Sequence, residues 1–459
     1  MSAPAGESPT LPSASETLAA FVAGSAWAEI GEDVRRQAKR SLLSFIGCAL
    51  GAAEDPAIGT AVRILGEVSG PAQAVIIGRA ERFDILNACF VNAIAGNLFD
   101  FDDTHLNTVI HPTAPVAPVV LALAERQGVS GAELLHALAL GAEVECRIGN
   151  AVSPGHYARG WHITATCGVF GAAAAAAKLL RLSPGVTAHA LGIAASESAG
   201  LVENLTTAAK NIGVGNACRN GLLAALMAEG GFEASPFAIE GPLGWGQASG
   251  DKPDLTGALA GLGREWEFLK NTFKPYPSGI VLHAVIDACL RLRSEHSLAP
   301  ETIESVVVSG DALLLARGDR MVRNERDARV SIQHSAAVSL LIGAAGLSEY
   351  SSTMTTDARV VELRARVTTV LDPEMPKGAA RVAIRLRDGR SLSVTVLHAR
   401  GSLEAPMTDD EIAWKVRDLA RQARWPGPID AIIDQIWNLD ELADSRALSA
   451  MLAASNGSR

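Results

Sequence analysis

The stretch TATCGVFGAAAAAAKLLRL, residues 164–182, decides the class of fold that the sequence predicts. Six consecutive alanines stand near its centre, and alanine has the highest intrinsic helix propensity of all residues. Apolar residues at the three- and four-residue spacing of a helix recur over 16–24, 32–52, 111–128, 130–149, 183–200 and 215–231. With aromatic residues scarce at 5%, the pattern predicts closely packed helices.

We predict one large helical domain that begins at residue 14 and continues to residue 272. Residues 1–13 are polar and rich in Pro, Ser and Ala, a composition typical of a disordered tail. Helix returns near the C-terminus, where Thr408 and Glu411 have the spacing of a capping box.

A smaller α+β domain is predicted between these helical parts, over residues 273–400. The segment IESVVVSG, residues 303–310, is rich in β-branched residues and predicts a strand. In RVAIRLRDGRSLSVTVL, residues 381–397, two alternating runs flank Asp388-Gly389. This pair suits a type I′ turn, so the segment predicts a β-hairpin.

Composition excludes several classes of protein. The net charge of −10 argues against nucleic acid as a partner, because phosphate binding needs a basic surface. The six cysteines have no Cys-x-x-Cys spacing, so neither a disulfide framework nor a structural zinc site is expected. With no signal-peptide pattern and no apolar run long enough to cross a bilayer, we expect a cytoplasmic protein without a membrane partner.

Four segments could carry chemistry. FDFDDTHLNTVIHPT, residues 99–113, places three carboxylates and two histidines in a mostly apolar region. The others are GWHITATCGVFG with His162, TTAAKNIGVGNACRNG with Lys210, and NTFKPYPSGIVLHAVIDA with Lys274, Tyr276 and His283. Each also has a purely structural interpretation: the aspartates could cap a helix, His162 could be a core histidine, and the lysines could be solvated.

If these segments converge, ammonium groups would neutralise substrate carboxylates and stabilise developing charge. Histidines would transfer protons near neutral pH. No Gly-x-Gly-x-x-Gly fingerprint, P-loop or Gly-x-Ser-x-Gly elbow is present, so nucleotide cofactors and serine-hydrolase chemistry have no support. A magnesium site like that of prenyl synthases is not favoured, because a second aspartate-rich segment is missing.

The four segments, together with RGSLEAPMTDDEIAWKV at residues 400–416, resemble the MmgE/PrpD family. This family includes 2-methylcitrate dehydratase, cis-aconitate decarboxylase and iminodisuccinate epimerase. The resemblance implies a mostly α fold: a large helical-bundle domain built from both chain ends, 14–272 and 401–459, with an inserted α+β lid domain over 273–400. It also implies a homodimer with neither metal nor organic cofactor.

By match of motif, the resemblance implies a catalytic neighbourhood made of Asp100, Thr104, His111, His162, Lys210 and Lys274. His111 and His162 would transfer protons, and Lys210 and Lys274 would bind substrate carboxylates. Asp100 would orient a neighbouring group or accept from a substrate hydroxyl, and Thr104 would bind substrate. For Tyr276 and His283, two roles stay open: packing, or support of the residues that bind substrate.

Some positions depart from the family pattern. The chain has Val-Ile-His-Pro-Thr-Ala-Pro at residues 109–115, where 2-methylcitrate dehydratases carry Trp-Gly-His-Pro-Ser-Asp-Asn. Gly213 and Gly279 stand where cis-aconitate decarboxylases carry histidines. His334 stands where family members often carry Tyr, and it could add a substrate-binding group.

The leading hypothesis is therefore a cofactor-independent lyase or isomerase that abstracts a proton next to a carboxylate of a small di- or tricarboxylate. Dehydration, decarboxylation and epimerisation, including that of iminodisuccinate, stay open. The alternative from another class is a non-catalytic dimeric carboxylate-binding protein.

Overall fold

The computed structural model describes residues 13–454, which divide into two compact units. The larger unit contains residues 13–96, 105–271 and 419–454, and the smaller contains 97–104 and 272–418. The smaller unit thus includes residues 97–104, 272 and 401–418, which the sequence assigned to the helical domain. The predicted tail lies outside the described residues except for Ser13, which caps the first helix.

The larger unit is helical. Its N-terminal part contains α1 Ala14–Gly24, α2 Glu32–Ala52, α3 Pro56–Gly66, α4 Ile85–Asn97, α5 Thr113–Gln127, α6 Gly131–Val152, α7 Gly155–Ala158, α8 Ile163–Leu179, α9 Pro184–Ser196, α10 Ala209–Glu229, α11 Trp245–Ser249 and α12 Leu255–Ala258. Short 3₁₀ turns span Trp27–Glu29, Val202–Asn204 and Glu267–Lys270. The strands β1 Ala74–Val75 and β2 Arg82–Phe83 pair antiparallel, and β3 Thr104–His105 and β4 Asn271–Thr272 lie where the chain passes between units.

The helix ends follow local sequence. Ser13 and Ser130 form capping boxes with Glu16 and Glu133 at the starts of α1 and α6. Gly128 ends α5 in the left-handed conformation, at φ 71°, which glycine adopts without steric cost. Helices α5, α6 and α8 are buried along nearly their whole length, so they form the core of this unit.

Helix α8 contains the polyalanine stretch and packs closely against α10. A Cβ on Gly221 of α10 would lie 2.5 Å from the Val169 carbonyl oxygen and 2.5 Å from the Ala172 Cβ. Small side chains therefore let the two backbones approach each other. The prediction of closely packed helices is confirmed here.

The smaller unit has an α+β fold. Its elements are α13 His283–His296, β5 Ile303–Gly310, α14 Ala312–Gly318, α15 Glu325–Ala328, α16 Ile332–Leu341, α17 Ser352–Thr356, α18 Ala358–Arg364, β6 Val367–Leu371, β7 Ala380–Leu386 and β8 Ser391–Val396, with 3₁₀ turns at Ile280–Leu282, Pro300–Thr302 and Leu347–Tyr350. The strand order is β6-β5-β7-β8. Strands β5 and β6 are parallel and the other pairs are antiparallel, while α13 packs on β7, β8 and α16.

The predicted strand 303–310 is confirmed at both ends, and so is the hairpin of β7 and β8. The predicted type I′ turn is wrong. That turn needs positive φ at two central residues, but only Gly389 has it, at 89°. The backbone N–H of Leu386 donates to the Arg390 carbonyl oxygen. The loop between these two residues therefore has three residues, 387–389, and not the two of a type I′ turn.

The last elements of the described residues are α19 Asp409–Gln422, which begins in the smaller unit, α20 Ile429–Trp437, a 3₁₀ turn at Leu439–Glu441 and α21 Arg446–Leu452. The fold as a whole is mostly α with a smaller α+β part, as predicted.

All six cysteines are buried and none forms a disulfide. Across residues 13–454, no single helix combines the length and apolar composition needed to cross a membrane. Helices α2 and α3 meet that test only as a pair, and the pair is bent by 87°.

Candidate active site

Lys274 and Asp100 form an ion pair within the smaller unit. The Lys274 Nζ donates to Asp100 Oδ1 at 2.9 Å and to the Asp100 carbonyl oxygen at 3.0 Å. The Lys274 side chain is 1% exposed, whereas that of Asp100 is 24% exposed. An ammonium has three N–H donors, and the third finds no acceptor among residues 13–454. One donor on a buried cation is therefore available to a ligand.

The loop that carries Asp100 is constrained by side-chain hydrogen bonds. Asp100 itself has φ 55°, a left-handed conformation that aspartate visits more readily than most L-residues but that persists only where surrounding contacts determine it. Asn97 Nδ2 donates to Asp102 Oδ2 at 2.6 Å, and Thr272 Oγ1 donates to the Thr104 carbonyl oxygen at 2.8 Å. These bonds hold residues 97–104 in a conformation that the backbone alone would not favour.

Thr104 itself is buried in β3, where its carbonyl receives that bond. Its predicted role in binding substrate stays a prediction.

His283 and Tyr276 lie near Lys274 in the smaller unit. Their rings meet edge to face with centroids 5.4 Å apart. Burial, followed by the positive charge of Lys274, lowers the pKa of His283 to about 3, so the imidazole is neutral. The Tyr276 hydroxyl donates to Asp287 Oδ1 at 2.5 Å. Because that hydroxyl is already engaged, the contact favours packing over direct substrate binding for Tyr276.

His334 is fully buried on α16. Its Nε2 lies 2.8 Å from the Glu349 carbonyl oxygen, and its ring is 5.5 Å from that of Tyr350. Burial lowers its pKa to about 4. Both contacts are structural, and its predicted part in substrate binding stays a prediction.

In the larger unit, His162 occupies the N-cap of α8 and is buried. Its backbone N–H donates to the Gly200 carbonyl oxygen at 3.1 Å. The first turn of a helix carries partial positive charge and favours anions. A carboxylate at the start of α8, beside His162, would therefore be stabilised by the helix.

Lys210 lies in the first turn of α10 and is also buried. One turn further on, a Cβ on Gly213 would lie 3.2 Å from the Ala165 Cβ in the first turn of α8. The starts of α8 and α10 therefore pack together, which brings two helix N-termini, one ammonium and one imidazole into the same part of this unit.

His111 belongs to the same neighbourhood. Its backbone N–H donates to Thr164 Oγ1 at 3.1 Å, and Thr164 is two residues beyond His162 in the first turn of α8. The structure thus places His111, His162 and Lys210 around the starts of α8 and α10 in the larger unit. It groups Asp100, Lys274, Tyr276 and His283 in the smaller unit.

Two sets of buried polar contacts were not predicted from the sequence. Lys415 of α19 donates to the carbonyl oxygens of Phe101 at 2.5 Å and Lys274 at 3.1 Å. His105 lies 3.1 Å from Glu267 in the larger unit, and this hydrogen bond lowers the pKa of Glu267 below its usual range. The signal for Lys415 was its place in the otherwise apolar stripe that includes Ile412, Val416 and Leu419.

Comparison with known proteins identifies the class of protein. The family model described as MmgE/PrpD N-terminal domain matches residues 16–258, and the one described as MmgE/PrpD C-terminal domain matches residues 276–439. The chain therefore belongs to the MmgE/PrpD family, and it is an enzyme of that family.

Among curated proteins, it is similar to cis-aconitate decarboxylases from three sources. The identity is 28% with that of Aspergillus terreus, covering 92% of each chain. It is 26% with that of Mus musculus, covering 96% of this chain and 94% of the relative. It is also 26% with that of Homo sapiens, covering 96% and 95%.

Proposed function

We propose that this enzyme is a lyase or isomerase that works by acid–base chemistry on a small di- or tricarboxylate, without metal or organic cofactor. The observation that carries the proposal is Lys274. It is a buried ammonium with two donors bound to Asp100 and a third without an acceptor in the described residues. A carboxylate is the ligand that such a donor binds best.

The larger unit supports the same substrate class. Lys210 and His162 stand at the starts of two helices, where a second carboxylate would be stabilised. This support does not depend on how the substrate reacts.

The chemistry follows from the groups available. Removing a proton or carbon dioxide next to a carboxylate leaves negative charge, which a positioned ammonium stabilises. His111 and His162 supply acid–base groups of the type that transfers protons near neutral pH. The names of the relatives favour decarboxylation of a tricarboxylate. Gly213 and Gly279, where decarboxylases of the family carry histidines, favour a different member of the substrate class.

The test is proton NMR in D₂O with citrate, 2-methylcitrate, cis-aconitate, iminodisuccinate and malate. We expect conversion, or deuterium uptake next to a carboxylate, that is lost in His162→Ala. His398→Ala is the matched control, because this histidine is 56% exposed and its loss should leave the rate unchanged. Treatment with a chelator should also leave the rate unchanged.

Two results would reject the proposal. Absence of exchange on all five acids, with carboxylates still binding in calorimetry, would support the non-catalytic carboxylate-binding protein. A rate lost with chelator and restored by a divalent cation would reject cofactor independence.

We further propose that the enzyme works as a homodimer in the cytoplasm, as the family resemblance and the sequence suggest. The net charge of −10 supports partners other than nucleic acid. Light scattering during size exclusion measures the mass, and twice the chain mass of 47.8 kDa is expected.

A further inference from the structure

We infer that Lys415 is a positioning residue that holds Asp100 and Lys274 in the geometry needed for catalysis. The inference rests on the proposed function, because it assigns Lys415 a part in that reaction. Its Nζ donates to the carbonyl oxygen of Phe101, next to Asp100, and to the carbonyl oxygen of Lys274 itself. One ammonium thus joins the two segments that carry the ion pair.

The hydrogen bonds of Lys415 to Phe101 and Lys274 lie within the smaller unit and are shielded from water. Its side chain is 2% exposed, and its Nζ lies 4.0 Å from the centroid of the Phe101 ring. A cation over an aromatic face is attracted by the ring quadrupole. The ring and the two carbonyls together fix the ammonium at one place.

The Asp100 loop needs such a contact because its backbone is strained. Asp100 has positive φ, and residues held in sparsely populated conformations persist only where surrounding contacts determine them. Lys274 binds the carbonyl of Asp100, and Lys415 binds the next carbonyl along the chain. Two lysines therefore hold the two consecutive peptide groups that follow the strained residue.

The buried face of α19 that carries Lys415 is otherwise apolar. The neighbours of Lys415 on this face are Ile412, Val416 and Leu419. Burying a charge is costly, and a well-packed apolar residue is often at least as stabilising in such a place. An ammonium here therefore has a use that a methionine of similar length would not serve.

Lys415→Met and Lys415→Arg test the inference, with Lys178→Met as the matched control. Lys178 also donates to two backbone carbonyls, those of Ala23 and Ser25. It lies near the end of α8, about 24 Å along that helix from His162 at 1.5 Å per residue. Its loss removes comparable hydrogen bonds without affecting the Asp100 loop.

We expect Lys415→Met to lower kcat by roughly 30- to 100-fold with little change in KM, since small misplacements of catalytic groups cost about this much. Lys415→Arg, which keeps the charge and the donors, should recover most of the loss. Lys178→Met should keep the native kcat. Equal kcat in Lys415→Met and the native enzyme, or a loss matched by Lys178→Met, would overturn the inference.

Amide hydrogen exchange supplies a readout that needs no substrate. Exchange in residues 97–104 should be faster in Lys415→Met than in the native protein and unchanged in Lys178→Met. If the native protein converts none of the acids, the proposed function fails. If amide exchange in residues 97–104 is also the same in Lys415→Met and the native protein, the positioning inference fails as well. Activity lost in His162→Ala but kept in Lys415→Met would overturn the inference alone.

Discussion

Lys274 directs two of its three N–H donors to one residue, binding both the carboxylate and the carbonyl oxygen of Asp100. The pair is unequal, because the lysine is buried and the aspartate is partly exposed. Because their exposure differs, we expect substitutions of Lys274 and of Asp100 to change the free energy of unfolding by different amounts.

Asp100→Asn should destabilise the protein more than Lys274→Met. Asparagine tolerates the left-handed conformation, so the first variant removes charge alone and leaves a buried ammonium without its counter-charge, at a cost of about 3 kcal/mol. Lys274→Met leaves a carboxylate that water can reach. Urea unfolding of both single variants and the double variant measures this, and the double variant should be more stable than Asp100→Asn. Strict additivity of the two changes would contradict the coupling.

Three buried histidines should make the protein less stable as the pH falls from 7 towards 4. Burial lowers the pKa of His136 and of His283 to about 3 and that of His334 to about 4, against 6.5 for the free side chain. The unfolded chain therefore binds more protons than the folded chain in this range. The contribution of these neutral histidines to the free energy of unfolding is complete above pH 6.5. It falls below that pH by up to about 1.4 kcal/mol per pH unit for each histidine.

Urea unfolding at several pH values tests this expectation. His283→Phe keeps a ring against Tyr276 and removes one titrating group, so its stability should depend less steeply on pH, by up to one proton. A slope identical to that of the native protein would show that His283 does not bind its proton as described.

Gly221→Ala should destabilise the larger unit by about 1–3 kcal/mol, because the added methyl group would meet the α8 backbone and force the helices apart. Since α8 and α10 carry His162 and Lys210 at their starts, activity should fall as well. Gly59→Ala is the control: its Cβ would meet nothing within 4 Å in α3, so it should stabilise the helix by about 0.5–1 kcal/mol. Thermal unfolding measures the stability of both variants. If Gly221→Ala is as stable as the native protein, α8 and α10 do not pack as closely as described.

Gly279→His should fold and should raise decarboxylation of cis-aconitate at least severalfold. Gly279 has ordinary backbone angles, φ −54° and ψ 131°, and a Cβ there would make only normal contacts with Val330 and Arg329. The variant supplies the imidazole that the family resemblance implies for decarboxylases at this position. Carbon dioxide release by Gly279→His and Gly279→Leu separates the imidazole from its bulk, and equal rates in both would argue against a role for the imidazole.

The sequence predicted best those elements whose pattern is local. Strand β5 and the β7–β8 hairpin follow from β-branched residues and alternation, and α8 follows from its alanines. The turn type at Asp388-Gly389 failed because it depends on where strand pairing stops. Pairing ends at Leu386 and Arg390, which leaves one residue more than a two-residue turn allows.

The candidate residues could be named from sequence, but their hydrogen-bond partners could not. Nothing local shows that the Tyr276 hydroxyl is used by Asp287 or that Lys415 meets residues 314 positions earlier in the chain. Such long-range contacts depend on tertiary packing. The positive φ of Asp100 was hidden for the same reason, since aspartate does not require it.

The six buried thiols provide a way to follow how each unit opens. Burial raises the pKa of Cys167 and Cys218 well above the usual value, and only a thiolate reacts readily with alkylating reagents. Cys289 belongs to the smaller unit, whereas Cys48, Cys89, Cys146, Cys167 and Cys218 belong to the larger. Alkylation at Cys289 before the other five would therefore reveal that the α+β unit unfolds first, without any label added to the chain.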